Sequence, residues 1–396
     1  MVKNLKLLFD FIRPFVSKSR LIVLLAQWVV IPVLVGLTSA ELVAQGVTPT
    51  SIAIGMSSPQ TGSESSVGVD YLLGARLAFD DANKDGGVFG RQVKLTVIDD
   101  AGKADTTAAN TKKLIADGSF ALFGFYGGNN TLAALPAINE ARIPLVGVFT
   151  GNQSLRDPPN RYVFHARTGY YAEIAHVAKR LTAMAADRVA VVHFDDRGGK
   201  DSGERTAVEF RNLGVKVPAV IAIERGSTKV DAAAATLAKA DVQWVVMILT
   251  NKTAAALIQK TRELGGLYQF MSLSFTNAAA LIKDLGNKST GLAFSQVVPF
   301  PMAGAGSKLV AEFRELAGTR VPINYVSMEG FVTAKLMLEG LRRAGKDPTR
   351  EKFIAGLESG RAIEFDNYSL RFTPQERAGG QFVELTVVDR RGQLVR

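Results

Sequence analysis

The chain has 396 residues, a formal net charge of +10 and no cysteine. The length favours two domains, and the lack of cysteine excludes disulfides, zinc–thiolate sites, a thiol nucleophile and a lipid-anchored cysteine. The first forty residues carry +4 of the charge, and the other +6 is spread along the chain. Nucleic-acid binding requires a clustered basic face, so we expect no nucleic-acid partner.

Residues 1–40 have the layout of a secretory signal peptide. A basic segment, Met1–Arg20, precedes a largely apolar run, Leu21–Leu37, and small residues follow it. Cleavage after Ala40 fits this pattern best, and cleavage after Ala44 fits second best. The alternative is an uncleaved membrane anchor, for which the apolar run is at the short end. Both interpretations place the rest of the chain outside the cytoplasm, which is the periplasm in a Gram-negative host.

Strands and helices alternate along the first part of the chain. Continuous apolar runs predict buried parallel strands, and apolar residues at helical spacing predict amphipathic helices. The order βαβαβαβ predicts a doubly wound sheet. The predicted strands are Ser51–Met56, Val93–Ile98, Ala121–Phe125 and Ile143–Phe149, and the predicted helices are Tyr71–Asn83, Asp105–Ala116 and Leu132–Ala141.

A second alternation follows a strand at Arg161–Ala166 that leaves the first lobe. The fold class is therefore α/β, with two doubly wound parallel-sheet lobes and a terminal hairpin at Phe382–Val388 and Gln393–Val395. The further predicted strands are Val189–Phe194, Val220–Ile223, Trp244–Leu249, Phe270–Leu273 and Gly291–Val298. The further predicted helices are Tyr171–Ala185, Asp201–Leu213, Val230–Ala238, Thr253–Leu264, Leu309–Leu316, Met328–Arg343 and Arg350–Gly356.

Two polar loops follow the strands Ala121–Phe125 and Ile143–Phe149. A right-handed crossover makes these strands parallel, so both loops lie at the carboxyl edge of one sheet, where open α/β sheets hold ligands. Glycines let backbone amides approach a ligand, and a helix that begins near Thr131 favours an anion. The alternative is that these residues only form turns. The candidate ligand residues are Tyr126, Gly127, Gly128, Asn129, Thr150, Gly151 and Asn152.

No catalytic pattern accompanies these loops. His165, His176 and His193 are far apart in sequence and are interpreted as structural. The pairs Asp99-Asp100 and Asp195-Asp196 are interpreted as helix N-terminal and cleft-rim residues, because an acid/base pair requires facing side chains. The sequence has no P-loop, dinucleotide-binding, serine-hydrolase or zinc-protease motif. We therefore expect a binding protein and not an enzyme, with no cofactor and no metal site.

The order of elements and the segment GARLAFDDANKDGGVFGRQVKLTVIDDAG (Gly74–Gly102) resemble the periplasmic branched-chain amino-acid binding proteins, the type I solute receptors of ABC importers. This resemblance covers nearly everything after the signal segment. It implies two lobes joined by a three-strand hinge, closure around a small-molecule solute, and an ABC permease of the inner membrane as partner. We expect a monomer. The implied lobes are 47–165 plus 297–369 and 166–296 plus 370–396, with crossings near Phe164–Arg167, Ser295–Pro299 and Asn367–Phe372.

The resemblance also implies where the ligand lies. In amino-acid-binding members, the α-carboxylate meets hydroxyls and backbone N–H groups of the two loops that here are 126–130 and 149–152. The aromatic wall of the site is expected from Tyr126, Tyr171, Phe275 or Phe300. The second lobe is expected to contribute Tyr171, Asn251, Ser274 and Phe275.

Three positions depart from that family pattern. This chain has Gly128 where amino-acid-binding members carry serine, and Gly198 where an aromatic residue is usual. Ser274 stands where an acidic residue pairs the ammonium of the ligand, and we expect no carboxylate near it. A buried ammonium without a counter-charge costs several kcal/mol. We therefore expect a ligand with a carboxylate or an amide and no obligatory α-ammonium.

A sensory module is the competing hypothesis. The same fold serves as the ligand domain of receptor systems, and it would be tethered here if the N-terminal segment were retained. The chain ends at Arg396 with no second apolar span and no signalling domain. We therefore expect a subunit of an importer.

Overall fold

Parallel strands form two separate sheets in a computed structural model, which describes residues 45–302 and 306–396. The predicted signal peptide, 1–40, and both predicted cleavage sites lie outside the described residues. In the part of the chain that is described, no helix combines the length and the apolar character needed to cross a membrane.

The first sheet consists of five parallel strands in the order β2-β1-β3-β4-β5. Every residue of β3, β4 and β5 is buried, as expected for strands covered on both faces. Leu122 pairs with Leu145 in parallel register, which confirms the predicted direction of these strands. The elements are β1 Ser51–Ser58, α1 Ser65–Lys84, β2 Gln92–Asp99, α2 Ala104–Ala116, β3 Ala121–Phe123, α3 Gly128–Ala141, β4 Leu145–Val146 and β5 Val163–Phe164.

The second sheet has the strand order β14-β13-β10-β9-β8-β6-β7. Strands β6 to β10 pair in parallel, and β13 and β14 add an antiparallel edge. The elements are α4 Tyr170–Ala183, β6 Val189–Phe194, α5 Arg197–Asn212, β7 Val220–Ile223, α6 Asp231–Lys239, β8 Trp244–Ile248, α7 Asn251–Glu263, β9 Gln269–Ser272, α8 Ala278–Leu285, β10 Ala293–Gln296, β13 Glu384–Val388 and β14 Leu394–Val395.

The chain passes between the two sheets three times, after β5, after β10 and before β13. The predicted crossings near Phe164–Arg167, Ser295–Pro299 and Asn367–Phe372 and the predicted lobe boundaries stay predictions. The elements between β10 and β13 are α9 Lys308–Ala317, α10 Tyr325–Ala344, α11 Arg350–Leu357, β11 Ile363–Phe365 and β12 Tyr368–Leu370.

Helices α1 and α10 touch through their backbones. A methyl group at Gly74 would lie 1.8 Å from the carbonyl oxygen of Ser327, and one at Gly330 would lie 2.0 Å from the carbonyl oxygen of Tyr71. No side chain can share that space with a backbone atom. The two glycines therefore set how closely these helices pack.

Two strands are shorter than predicted because each ends at a glycine with positive φ. Gly124 has φ 64° and ends β3, and Gly147 has φ 79° and ends β4. The pairing resumes two residues later as an isolated parallel bridge between Tyr126 and Phe149. Helix α8 and the β11–β12 hairpin were not predicted. Both are short, and periodicity is a weak signal over so few residues.

Candidate functional site

A cavity of about 190 Å³ lies where the carboxyl ends of both sheets meet. This volume is below the roughly 300–1,000 Å³ of pockets for drug-sized ligands, so it suits a ligand of few heavy atoms. Loops after β1, β3 and β4 line one side, and loops after β6, β7, β8 and β9 line the other. Its polar and aromatic lining includes Ser63, Glu64, Tyr126, Asn129, Asn130, Phe149, Thr150, Asn152, Tyr170, Phe194, Asp196, Ser202, Arg225, Thr250 and Phe275.

The structure places most of the predicted ligand residues in this lining. The rings of Tyr126 and Phe149 stack with centroids 6.2 Å apart, so the two predicted loops lie side by side. Contact of these residues with a ligand stays a prediction. The predicted residues that line the cavity are Tyr126, Gly127, Gly128, Asn129, Thr150, Asn152 and Phe275.

Helix α3 presents its N-terminus to the cavity. Gly127 is the N-cap, with φ 79° and ψ 149°, and it has no side chain that could cap the helix. The backbone N–H groups of Gly128, Asn129 and Asn130 are in the first turn, where a helix offers no internal acceptor. The helix begins at Gly128 and not near Thr131, so these donors and the positive end of the helix dipole lie at the cavity wall.

A half-buried arginine supports the second loop. Arg156 Nη2 donates to the carbonyl oxygens of Thr150 at 3.0 Å and Arg167 at 3.2 Å. Burial and the nearby Arg167 lower the pKa of Arg156 to about 10, so it stays charged at neutral pH. The Thr150 hydroxyl lies 3.3 Å from the Tyr170 hydroxyl and accepts from the backbone N–H of Asn152 at 3.2 Å. The loop is therefore fixed, with a positive charge behind it.

The side chain of Asn152 explains why glycine stands at positions 128 and 198, two of the departures from the family pattern. Its Oδ1 accepts from Ser154 N at 2.9 Å, which fixes Nδ2 as the other end of the amide. A methyl group at Gly128 would lie 2.6 Å from Asn152 Nδ2, and one at Gly198 would lie 2.9 Å from the same atom. The two glycines leave room for this amide at the cavity wall, where larger side chains would displace it.

Charged groups line the cavity as well. Arg225 Nε donates to Asp196 Oδ2, and its guanidinium carbon lies 4.1 Å from the centroid of the Phe194 ring. Burial acts to raise the pKa of Asp196, but hydrogen bonds from Arg225 and from Gly199 N lower it below its ordinary value. Asp196 is thus a helix N-cap at the cleft, as interpreted from the sequence. Glu64 and Arg225 were not among the predicted ligand residues.

The expectation that no carboxylate lies near Ser274 is wrong. Glu173 Oε1 accepts from Ser274 N at 2.7 Å, and Glu173 Oε2 accepts from Ser274 Oγ at 2.9 Å. Glu173 also accepts from Ser295 Oγ at 2.6 Å. These bonds bury Ser274 behind the cavity wall, and it does not belong to the lining.

Two predicted aromatic residues lie elsewhere. The Tyr171 hydroxyl donates to Asp201 at 2.7 Å on the outer side of α4, and its neighbour Tyr170 lines the cavity. Phe300 packs on Tyr325 with ring centroids 6.1 Å apart and is not in the lining. Tyr170 meets Phe275 edge-on at 5.4 Å, so these two rings form the aromatic wall on this side.

Asn251 and Gly151 also lie outside the lining. Asn251 donates from Nδ2 to the carbonyl oxygen of Asn277 at 2.7 Å and accepts from Asn277 N at 3.0 Å. Gly151 is covered by Tyr170, whose ring would be 2.3 Å from a methyl group there. Asn277 in turn donates from Nδ2 to Ser66 O at 3.0 Å and to Asp70 Oδ2 at 2.9 Å. Asn277 therefore joins α8, on the second sheet, to α1, on the first.

A buried ionic network lies behind the Phe149 side of the cavity. Arg167 Nη2 donates to Ser274 Oγ at 2.7 Å, and Arg167 Nε lies 3.3 Å from Glu329 Oε1. The guanidinium carbon of Arg167 lies 4.3 Å from the centroid of the Phe149 ring. Arg167 and Glu173 are both 0 % exposed. The network ties the first crossing of the chain to α4 and α10.

We expect Glu329 to make stability depend on pH. Burial raises the pKa of Glu329 from 4.5 to about 7, although Arg167 acts in the opposite direction. The folded protein therefore holds this proton more tightly than the unfolded chain does, and stability falls as pH rises from about 4.5 to 7. The expected loss is roughly 1.5 kcal/mol between pH 5.5 and 7. Urea unfolding of the wild type and of Glu329→Gln across this range measures it. If the free energy of unfolding depends on pH equally in both proteins, Glu329 is not the cause of the dependence.

The described residues contain no group of three or more His, Cys, Asp or Glu that could hold a metal ion. His165 is buried, with Nε2 3.1 Å from Leu155 O, and burial holds its pKa well below the ordinary value. His193 Nδ1 lies 2.7 Å from Phe194 O. Both contacts agree with the structural role interpreted from the sequence.

Comparison with known proteins identifies the family. The sequence profile of the periplasmic binding protein family matches residues 51–387. The chain belongs to this family. A substrate-binding periplasmic protein from Ralstonia solanacearum has the same fold at a TM-score of 0.80 and 30 % identity, over 87 % of this chain and 99 % of that protein. The predicted α/β architecture is confirmed.

Curated relatives of this periplasmic binding protein bind amino acids. An amino acid binding protein from Pseudomonas aeruginosa is 27 % identical over 56 % of this chain, and the match spans 60 % of the relative. A leucine-, isoleucine-, valine-, threonine- and alanine-binding protein from the same organism is 20 % identical over 76 % of this chain and 80 % of the relative. The predicted resemblance to branched-chain amino-acid binding proteins is therefore confirmed, and the family is one of binding proteins and not of enzymes.

Proposed function

We propose that this chain is an extracytoplasmic solute-binding protein that delivers a small amino-acid-like, carboxylate or amide solute to an ABC importer. Its proposed location is the periplasm, and its proposed partner is a permease of the inner membrane. The proposed lobes are 47–165 plus 297–369 and 166–296 plus 370–396. Solved relatives with this fold support the proposal, among them an ABC transporter protein from Thermus thermophilus with bound valine, at 20 % identity and a TM-score of 0.78 over 88 % of this chain and 96 % of that one.

The convergence of donors on one wall of the cavity carries this proposal. The first-turn N–H groups of α3, the Thr150 hydroxyl and the Asn152 amide all belong to loops that line it. Backbone N–H groups at a helix N-terminus favour a negatively charged or carbonyl oxygen. Arg156 adds a positive charge behind Thr150. The acid or amide end of the solute is therefore assigned to this wall.

Residues from the two sheets meet around the cavity, which supports capture by closure. Asn152 lies between Gly128 and Gly198, and Asn277 bonds across to Ser66 and Asp70. A hinge that opened these contacts would expose the cavity to solvent. Mass spectrometry of the solute released from the purified protein tests the proposal. A protein that carries no small solute, and binds none from a broad panel of amino acids, organic acids and amides, would not have this function.

We call the wall formed by the first turn of α3, Thr150 and Asn152 the donor wall. Truncation of side chains in this wall should weaken binding. Asn129→Ala, Thr150→Ala and Asn152→Ala are each expected to reduce the binding free energy of the co-purifying solute by roughly 1–3 kcal/mol, because each removes a hydrogen-bonding group from a site that the proposed closure shields from water. Isothermal titration calorimetry measures the change. Tyr171→Phe is the control, since its hydroxyl bonds to Asp201 and it should bind as the wild type does. Unchanged affinity in all three alanine variants places the site elsewhere.

A further inference from the structure

The charges in the cavity wall do not balance. Its carboxylates are Glu64 and Asp196, and Arg225 is the cation among its described lining residues. Arg225 pairs with Asp196 and covers the Phe194 ring, so these two charges offset each other. Glu64 therefore gives the wall one negative charge in excess.

Neutral hydroxyl groups hold Glu64 in place. Tyr126 Oη donates to Glu64 Oε2 at 2.9 Å, and Ser63 Oγ lies 3.3 Å from Glu64 Oε1. Within residues 45–302 and 306–396, Glu64 takes part in no ion pair. A carboxylate accepts more hydrogen bonds than these two. Glu64 thus remains able to accept from a donor inside the cavity.

Tyr126 separates Glu64 from the donor wall. It directly precedes Gly127, the N-cap of α3, while its hydroxyl contacts Glu64. The side chain of Tyr126 therefore spans the space between the Glu64 carboxylate and the N-terminus of α3. An α-amino acid has one carbon between its carboxylate and its ammonium, which is too short to meet both groups. Its apolar side chain would instead cover the half-buried Glu64 carboxylate, and removing a charged group from water without a hydrogen-bonding partner is unfavourable.

We propose that the cavity selects a small acid with a protonated amine several bonds from its carboxylate. The carboxylate lies at the N-terminus of α3, and the amine donates to Glu64. This inference rests on the proposed function and narrows its solute class. It is also consistent with the position of Ser274, since no α-ammonium is required and the counter-charge comes from the opposite side of the cavity.

Calorimetric titration with matched compounds tests the inference. We expect 4-aminobutanoate or 5-aminopentanoate to bind at least tenfold more tightly than butanoate or pentanoate, and more tightly than leucine. Glu64→Gln keeps the shape of the side chain and an acceptor for Tyr126 but removes the charge. We expect it to reduce the preference for the amine to less than threefold. Asp195→Asn removes an exposed carboxylate outside the lining and should leave the preference unchanged.

The titrations overturn the inference if the acids with and without the amine bind equally, if leucine binds more tightly than either amino acid, or if the preference is unchanged in Glu64→Gln. A co-purifying solute without a basic nitrogen also overturns it but leaves the proposed function intact. Failure of the Asn129, Thr150 and Asn152 variants to weaken binding bears on the proposed function instead, so the two failures are distinguishable.

Discussion

Glu173→Ala is expected to lower the free energy of unfolding by about 3–5 kcal/mol, the range for breaking a buried ion network by removing one partner. Glu173 is fully buried and accepts hydrogen bonds from Ser274 N, Ser274 Oγ and Ser295 Oγ. The substitution would strip these donors of their acceptor and would leave Arg167 with Glu329 as the remaining nearby carboxylate. Chemical denaturation monitored by circular dichroism measures the loss.

Two further variants separate the charge of Glu173 from its hydrogen bonds. Glu173→Gln keeps an acceptor oxygen but not the charge, so its free energy of unfolding should lie between those of the wild type and Glu173→Ala. Glu224→Ala makes the same truncation at an exposed position and should change stability by less than about 0.5 kcal/mol. If Glu173→Ala were no more destabilising than Glu224→Ala, the network would not contribute to the folded state.

Gly330→Ala is expected to destabilise the protein by about 3 kcal/mol, at the upper end of the range for overpacking. The new methyl group would lie 2.0 Å from the Tyr71 carbonyl oxygen. A backbone atom inside helix α1 cannot move aside without carrying the helix with it. We expect α1 and α10 to separate, which a lower unfolding midpoint in urea and faster amide exchange in both helices would report.

The same helix provides a control for Gly330. Gly340 is also within α10, and a methyl group there would lie 2.6 Å from the ring of Phe353, a side chain and not a backbone atom. Both substitutions gain the same helix propensity, about 1 kcal/mol. Gly340→Ala should therefore be clearly less destabilising, because the Phe353 ring can shift. Equal effects would show that the backbone contact of Gly330 is not the cause.

Local patterns were sufficient to predict the parallel core of this fold. The apolar run Ala121–Phe125 and the helical spacing of Leu132–Ala141 report on burial over one strand or one helix, which is local information. The exact ends were less predictable, since they depend on backbone conformation. The sequence around Gly124 and Gly147 does not indicate that these glycines adopt positive φ and end their strands.

The site could be predicted where it depends on strand order and not where it depends on distant contacts. The loops at 126–130 and 149–152 follow adjacent parallel strands, so topology alone brings them together. The carboxylate beside Ser274 comes from Glu173, 101 residues away, and no local signal indicates that pairing. Acidic residues in the early polar loop were visible in the sequence, but only the packing of Glu64 against Tyr126 reveals its place in the cavity.

One wrong prediction chose the wrong one of two adjacent tyrosines at the start of α4. Tyr170 and Tyr171 are adjacent at the start of α4, so their side chains point about 100° apart. Tyr170 faces the cavity and Tyr171 faces Asp201. Because both residues are tyrosine, their chemistry gives no basis for choosing between them, and only the rotation of the helix settles which one faces inward.

The Asn277 contact lets affinity vary independently of selectivity. Its bonds to Ser66 and Asp70 lie outside the cavity lining, so in a cleft that opens and closes as proposed they stabilise the closed form equally for every solute. Loss of about 1.4 kcal/mol there would raise each dissociation constant about tenfold and leave the ranking of solutes unchanged. Under the proposed function, substitutions at these positions would thus change how tightly every solute is held without changing the residues that recognise it.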